Sequence, residues 1–211
     1  MSIDDLNIFM MCDKLNTSAL SEMPLGFTAR HPRKDELDVW KRMPFDDEEA
    51  ANQYFDYMTE YFDRVYSPKG NLFYKTCLFV VDDNDAPVCT GFTWKLYDRF
   101  TTVHWFKTIK AYENKGIGRA LISIVMGKLS ADEYPVYLHT QVGSYRAIKL
   151  YSDFGFKLLT DSEVGLRHND FRVGLPVLMN RMPPIDFNNL RFGKAMQDFL
   201  DCVASQATSD F

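Results

Sequence analysis

The chain has 211 residues, 46% of them hydrophobic and 25% charged, which favours one domain with a sizeable core. The formal net charge of −5 argues against nucleic acid as the default partner. No apolar run approaches the roughly 18 residues of a membrane span, and the N-terminus has no basic leader, so we expect a cytoplasmic protein that does not bind membranes.

The first third of the chain is predicted to contain two short strands and then helices. Residues 6–12 and 27–30 have the apolar character of strands. A short helix is predicted over residues 35–43. A longer helix is predicted over residues 46–66, opened by Asp46 as the N-cap.

The middle of the chain is predicted to form strands over residues 72–81, 88–99 and 101–110. In the third strand, period-two alternation predicts that two sets of side chains face opposite sides. One set comprises Val103, Trp105 and Ile109, and the other comprises His104, Phe106 and Thr108.

A glycine-spaced turn follows this strand and opens a helix predicted over residues 115–130. Gly116 and Gly118 allow main-chain N–H groups to approach a ligand closely. Lys115 and Arg119 are cations at the positive end of a helix, where cations are normally disfavoured. An anion such as a phosphate over the turn would explain them.

The last third is predicted to begin with a strand over residues 136–140 and a helix that starts near Ser144 and ends at Gly155. Two more strands are then predicted, one from Phe156 and one over residues 171–179, before an amphipathic helix. That last helix is predicted over residues 188–204. This order of elements indicates a mixed sheet of the α/β or α+β class.

Two motifs in this order resemble those of the GNAT superfamily of N-acetyltransferases. The first is the turn Glu113-Asn114-Lys115-Gly116-Ile117-Gly118, although Glu113 replaces the usual glutamine or arginine. The second is the helix Ala147-Ile148-Lys149-Leu150-Tyr151 followed by Gly155-Phe156. The resemblance implies a mixed, mostly antiparallel central sheet flanked by helices, with a C-terminal helical extension.

The resemblance also implies a division of the chain into three segments. Residues 1–25 would form an N-terminal extension, and residues 26–181 the N-acetyltransferase domain. Residues 182–211 would form a C-terminal amphipathic helix packed on that domain.

Acetyl-CoA is the co-substrate that the resemblance implies. Its pyrophosphate would rest on main-chain N–H groups of the glycine turn, and its pantetheine arm would pair with the preceding strand. An N–H near Ile109 would polarise the thioester carbonyl. The cofactor-binding residues carried over from the family are Thr108, Ile109, Lys110, Asn114, Lys115, Gly116, Ile117, Gly118, Arg119 and Ser144.

The resemblance implies direct acetyl transfer to a primary amine of a small molecule or peptide. Tyr151 is the candidate general acid that protonates the leaving thiolate. His104 and His139 are the two candidates for the base that deprotonates the amine. A water-relayed route, with no residue assigned, stays open beside them.

Other functions and partners stay open at this level. A non-catalytic acyl-CoA-binding sensor or scaffold is the alternative, and a nucleotide-binding protein is a third reading that lacks the P-loop and dinucleotide patterns. Whether the protein forms a homodimer is also open. The four cysteines have no metal-ligand spacing, so we expect reduced thiols and no metal cofactor.

Overall fold

The computed structural model describes residues 2–206. The strands are β1 (Asn7–Cys12), β2 (Thr28–Arg30), β3 (Leu78–Val81), β4 (Pro87–Leu96), β5 (Phe100–Thr108), β6 (Val136–Gln141), β7 (Lys157–Leu159), β8 (Glu163–Val164), β9 (Arg167–His168) and β10 (Phe192–Gly193). The α-helices are α1 (Leu37–Arg42), α2 (Glu48–Gln53), α3 (Phe55–Val65), α4 (Leu72–Thr76), α5 (Ile117–Gly127), α6 (Tyr145–Asp153), α7 (Phe171–Arg181), α8 (Pro184–Asn188) and α9 (Gln197–Ala204).

The chain folds into two compact units. Unit 1 comprises Met1–Ala19, Lys95–Thr102 and Leu129–Phe211, and unit 2 comprises Leu20–Trp94 and Val103–Lys128. Strands β4 and β5 contribute residues to both units, whereas the glycine turn and helices α1 to α5 belong to unit 2.

In unit 2, strands β2, β3 and β4 pair in antiparallel fashion, and β5 lies next to β4. Side chains of β3 alternate between two cores, as the pleat of a strand requires. Phe79 and Val81 join an aromatic core with residues of α1, α3 and α4. Leu78 and Val80 join a second core with Ile117 and other residues of α5.

Two of the predicted elements in unit 2 differ from the structure. The segment predicted as a strand from residue 72 begins with helix α4, which buries Phe73 fully, and becomes strand β3 only at Leu78. Short apolar runs do not distinguish strand from helix by periodicity. The helix predicted over residues 46–66 is interrupted at Tyr54, and its N-cap is Asp47, which accepts a hydrogen bond from the Ala50 N–H at 2.8 Å.

In unit 1, the N-terminal strand β1 is an inner strand of the sheet. It pairs in antiparallel fashion with β6 on one side and with β7 on the other, and Met10 lies opposite both Leu138 and Leu158. β10 pairs parallel with β7 on its other edge. Residues of β1, β6 and β7 enclose a core with Phe199 of α9.

The strand predicted over residues 171–179 is wrong, since this segment forms helix α7. Gly174 and Leu178 are the buried residues of α7, at the i, i+4 spacing of a helix. A Cβ atom on Gly174 would lie 2.7 Å from Val142, so the glycine allows α7 to approach closely.

The helix predicted over residues 188–204 begins only at Gln197. Before it, the chain is extended and pairs with β7, because the Leu158 N–H donates to Arg191 O and the Thr160 N–H donates to Gly193 O, each at 2.8 Å. The predicted amphipathic character holds for α9 itself, which buries Phe199.

The predicted fold class is confirmed, since the structure combines α-helices with a mixed, mostly antiparallel sheet. The predicted division at residues 25 and 181 stays a prediction. The N-terminal segment nevertheless supplies β1, which is paired on both edges.

We expect an ion-pair network around the buried Glu36 in unit 2 to make the protein sensitive to acid. The Glu36 carboxylate is 7% exposed and accepts a bidentate pair of hydrogen bonds from Arg30, both at 2.8 Å. Arg33 donates to the same carboxylate, and Asp85 accepts from both arginines. The Arg30 hydrogen bonds hold the pKa of Glu36 below its ordinary value.

A depressed pKa in the folded state gives stability that is present above the unfolded-state pKa and is lost as the pH falls through the folded-state pKa. Glu36→Gln should therefore lower the free energy of unfolding near neutral pH by about 1–2 kcal/mol. The loss of Tm on acidification should be smaller in the variant than in the wild type. Thermal melts across the acid range test this, with exposed Glu60→Gln as the control. Equal acid sensitivity of Glu36→Gln and wild type would contradict it.

Candidate functional site

The candidate site starts from an irregularity in β5. Trp105 has a φ of +47°, a conformation that bulky residues rarely adopt. His104 and Trp105 consequently point to the same side of the strand, where both contact the aromatic core around Tyr66 and Tyr61. Phe106 points to the other side and packs with the α5 core. The predicted grouping of His104 with Phe106 on one face is therefore wrong.

The end of β5 shows in which direction the N–H groups near Ile109 point. The Ile109 N–H donates to Val88 O at 3.0 Å, so it is directed towards β4. Successive N–H groups along a strand point to opposite edges, which directs the Thr108 N–H away from β4. The Thr108 hydroxyl lies 3.1 Å from Cys89 Sγ. Thr108, not Ile109, is thus the residue whose N–H faces the open edge.

The turn between β5 and α5 contains two residues of left-handed main-chain conformation. Lys110–Tyr112 form one 3₁₀ turn, Asn114 has a φ of +62°, and Gly116 has a φ of +82° as the N-cap of α5. Asparagine and glycine are the residues that adopt positive φ most readily. Gly116 is left-handed and Ile117 is the first helical residue, and such a pair directs successive N–H groups into one concavity.

Helix α5 begins at Ile117, and its Gly116 N-cap has no side chain to accept a hydrogen bond from the first turn. The N–H groups of Ile117 and Gly118 therefore lie at the positive end of the helix dipole without a side-chain cap. Gly118 packs tightly on β5, because a Cβ there would lie 3.3 Å from Thr108 Oγ1. The predicted start of the helix, at residue 115, is therefore two residues too early.

One cation of the turn is held in place by an aromatic ring. Lys115 Nζ lies 4.5 Å from the centre of the Tyr112 ring. The Tyr112 hydroxyl donates to Asp82 at 3.0 Å, which fixes the ring. Lys110 is exposed and Arg119 is half-buried. The cofactor-binding residues predicted between Thr108 and Arg119 therefore lie together in unit 2, on one strand end, one turn and one helix start.

His104 does not have the environment of a general base. Its ring is 6% exposed, and Nδ1 lies 2.6 Å from the Tyr66 hydroxyl. Burial lowers the pKa of His104 to about 3. It is a neutral member of the aromatic core.

His139 of unit 1 is also held neutral, by two hydrogen bonds. Arg167 donates to Nδ1 at 3.1 Å, which leaves Nε2 as the protonated nitrogen that donates to Asn7 Oδ1 at 2.9 Å. Burial, and then the charge of Arg167, lower the pKa of His139 to about 3. Both ring nitrogens are engaged, so the structure does not support the base role for His139.

We expect the exposed His168 to titrate at a higher pH than the buried His104 and His139. His168 accompanies Glu163 at the surface, and that hydrogen bond raises the pKa of His168 above its ordinary value. In an NMR titration, His168 should change protonation state at or above about pH 6.5, whereas His104 and His139 should stay neutral down to about pH 4. A titration of either buried ring near about pH 6.5 would contradict this account.

Tyr151 lies on α6 of unit 1 and is 5% exposed, with its ring centre 5.7 Å from that of Phe156. The end of α6 is tightly fixed, since Gly155 has a φ of +99° and a Cβ there would lie 2.7 Å from Lys14 O. The left-handed C-terminal glycine is therefore confirmed. Ser144 precedes α6 but makes no side-chain capping bond, so the predicted cap is wrong.

Tyr66 is not among the residues predicted from the sequence, and its hydroxyl joins His104 to the aromatic core. Its position four residues after Phe62 continues the buried stripe of α3, and that spacing could have identified it as a core residue. Its pairing with a histidine 38 positions later in the chain has no local signal.

Within residues 2–206, no helix is long and apolar enough to cross a membrane. The same residues contain no group of three or more histidine, cysteine, aspartate or glutamate side chains placed to hold a metal ion.

Solved structures with a similar fold include GNAT proteins. A tandem GNAT protein from the clavulanic acid biosynthesis pathway has a TM-score of 0.54 at 10% identity, covering 74% of this chain and 50% of its own. A conserved Staphylococcus epidermidis protein of unknown function has a TM-score of 0.50 at 15% identity, covering 73% and 57%. A GCN5-related N-acetyltransferase from Sphaerobacter thermophilus has a TM-score of 0.46 at 16% identity, covering 65% and 43%.

The present chain spans about half the length of the first solved structures it matches, at 47%, 43% and 59% of their chains. No curated protein matches it. Residues 38–156 match the family model described as the acetyltransferase (GNAT) family. This match covers more than half of the 211 residues and includes the glycine turn and the tyrosine helix. The chain therefore belongs to the GNAT family of acetyltransferases.

Proposed function

We propose that the protein is an acetyl-CoA-dependent N-acetyltransferase that moves the acetyl group to a primary amine of a small molecule or peptide. The transfer is direct, with both substrates bound together. The observation that carries this proposal is the uncapped start of α5 behind the left-handed residues Asn114 and Gly116. Family membership supports acyl transfer in general.

The residues of the turn fit the diphosphate of a coenzyme A. In this proposal the main-chain N–H groups from Asn114 to Gly118 hold the phosphates, as helix starts and nests commonly do. A side chain at Gly118 would occupy the space next to Thr108, so a glycine keeps the approach open. Lys115 supplies a full positive charge, which offsets the carboxylate of Glu113 in a protein of net charge −5.

The strand that precedes the turn, β5, fits the pantetheine arm and the thioester of acetyl-CoA. We assign pairing with the pantetheine arm to the main chain of β5 near Thr108, which acts as the strand partner. The Thr108 N–H then stabilises the charge that develops on the carbonyl oxygen. Acetyl-CoA supplies the acetyl thioester, and no metal is assigned.

Acetyl transfer needs two proton transfers, one to the leaving sulfur and one from the attacking amine. Tyr151 donates a proton to the departing sulfur, because a tyrosine is protonated at neutral pH. Neither His104 nor His139 is placed to accept the proton of the amine, since both are neutral and hydrogen-bonded. We therefore propose that water accepts it, with no residue assigned. A cytoplasmic location and the identity of the amine stay predictions from the sequence.

A second function, a non-catalytic acyl-CoA-binding module, is favoured by the same absence of a placed histidine base. Two measurements separate the functions. Saturating acetyl-CoA should raise the Tm of the full chain, and a panel of polyamines, amino acids, antibiotics and peptide N-termini should release free thiol with at least one acceptor.

Stabilisation without turnover on the whole panel would favour the binding module. Stabilisation by ATP or NAD without stabilisation by coenzyme A would overturn both readings. Since ligand binding to the folded state alone raises stability by mass action, the first measurement does not require the acceptor to be known.

A further inference from the structure

The left-handed conformation of Trp105 requires support from its surroundings. A bulky residue at positive φ is strained and persists only where neighbouring contacts determine it. The Trp105 ring lies 5.2 Å from the Tyr61 ring and 5.9 Å from the Trp40 ring, nearly perpendicular to both. The side chain is thus held by α1 and α3 of unit 2.

Tyr66 is the polar centre of this arrangement. It follows α3 directly, is fully buried, and its hydroxyl lies 2.6 Å from His104 Nδ1. The Tyr66 ring also lies 5.7 Å from the Tyr61 ring, which itself contacts Trp105. Tyr66 therefore engages His104 directly and Trp105 through Tyr61, and His104 and Trp105 are the two consecutive residues that share one face of β5.

This local irregularity determines the orientation of every residue that follows it in β5. With His104 and Trp105 on one side, the alternation after them is displaced by one residue. Phe106 then lies over Gly91, where a Cβ would meet the Phe106 ring at 2.6 Å. The Ile109 N–H points to Val88, and the Thr108 N–H points to the open edge. In a regular strand in which His104 kept its present orientation, Thr108 and Ile109 would exchange these orientations.

We propose that Tyr66 and His104 are positioning residues, which hold the β5 irregularity at Trp105 and so direct the Thr108 N–H to the edge that receives the pantetheine arm. This inference rests on the proposed function. Neither residue touches the acetyl group or the phosphates in this assignment. Tyr66 and His104 act on the conformation of β5, whereas phosphate binding by the glycine turn does not depend on them.

The test compares two probes that share phosphate groups but differ in the pantetheine arm. Coenzyme A engages the turn and the strand, and adenosine 3′,5′-bisphosphate engages the turn alone. Tyr66→Phe keeps the ring and removes the hydroxyl. We expect it to bind coenzyme A about tenfold more weakly, the change that corresponds to about one lost hydrogen-bonded pair. Its affinity for the bisphosphate should stay within about twofold of the wild type.

Tyr74→Phe is the matched control, because Tyr74 packs on the same aromatic core. It should bind both probes like the wild type. His104→Phe should reproduce the selective loss, and the double variant should be no weaker than either single one, since both remove the same hydrogen bond. If Tyr66→Phe does not fold, His104→Phe tests the inference by the same comparison of its affinities for coenzyme A and for the bisphosphate.

Wild-type affinity of Tyr66→Phe for coenzyme A would overturn the inference, and so would an equal loss for both probes. Failure of the wild type to bind either probe would instead overturn the proposed function. A selective loss should also appear in NMR spectra, where coenzyme A shifts the Thr108 amide in the wild type and not in the variant.

Discussion

Replacing Gly118 by aspartate is expected to abolish useful affinity for acetyl-CoA while the protein stays folded. The new side chain would enter the space 3.3 Å from Thr108 Oγ1, and its carboxylate would stand where the proposal places phosphates. Like charges about 4 Å apart repel by about 4 kcal/mol at an effective dielectric constant near 20. The dissociation constant for coenzyme A should therefore rise at least about 100-fold.

The same substitution should not weaken α5 itself, because an aspartate in the first turn complements the helix dipole. Gly127→Asp is the matched control at the other end of α5, where a Cβ meets no atom within 4 Å. It should lower the Tm slightly, since a negative charge opposes the dipole there, and leave the affinity within about twofold. Calorimetric titration with coenzyme A measures both. Equal affinities for Gly118→Asp and wild type would remove the turn from the site.

Tyr151→Phe is expected to lower turnover by about 100-fold or more, the usual contribution of a positioned general acid. Affinity for acetyl-CoA should be unchanged, because the hydroxyl acts only as the thiolate leaves. The substitution keeps the ring that packs 5.7 Å from Phe156, so the fold should be retained. Steady-state kinetics with an acceptor from the panel should show kcat falling and the KM for acetyl-CoA staying constant.

Tyr145→Phe provides the control on the same helix, at its first residue. It should leave kcat unchanged, because no role is assigned to its hydroxyl. A Tyr151→Phe variant with wild-type kcat would identify Tyr151 as a core residue only. Its 5% exposure agrees with a core role as well as with a protected acid, which is why kinetics decide the assignment.

The glycine turn could be predicted from sequence because its chemistry is local. Asn114 and Gly116 adopt positive φ for reasons intrinsic to these residue types. The tyrosine helix and its terminal Gly155 were predictable for the same reason. Both ends of α5 differ from the prediction over residues 115–130, since Gly116 serves as the N-cap and the helix ends at Gly127.

The irregularity in β5 could not be predicted from local pattern. Alternation in the sequence assigns His104 and Phe106 to one face of β5. In the structure they face opposite sides, because His104 contacts Tyr66 and Trp105 contacts Tyr61, two residues distant in sequence. The consequence reaches the end of the strand, where the Ile109 N–H is directed to Val88 O of β4. Tertiary contacts thus decide the orientation of Thr108, to which we assign the contact with the thioester carbonyl.

The order of strands in unit 1 shows a second limit of the sequence. The segment of β1 is predicted correctly as a strand, whereas the segment of α7 is predicted wrongly as one, and the pairing of β1 with β7 has no local signal. Hydrophobic pattern identifies candidates for strands but does not say which of them pair. That Gly174 and Leu178 are the buried residues of α7 emerges only from the structure.

The most direct test of the account follows the main-chain amides of the glycine turn by NMR while coenzyme A is added. Saturating ligand should shift the N–H resonances of Gly116, Ile117 and Gly118 strongly, and the Gly127 resonance at the far end of α5 should stay in place. If coenzyme A binds and the three turn resonances do not move, the diphosphate is held elsewhere and the account is wrong.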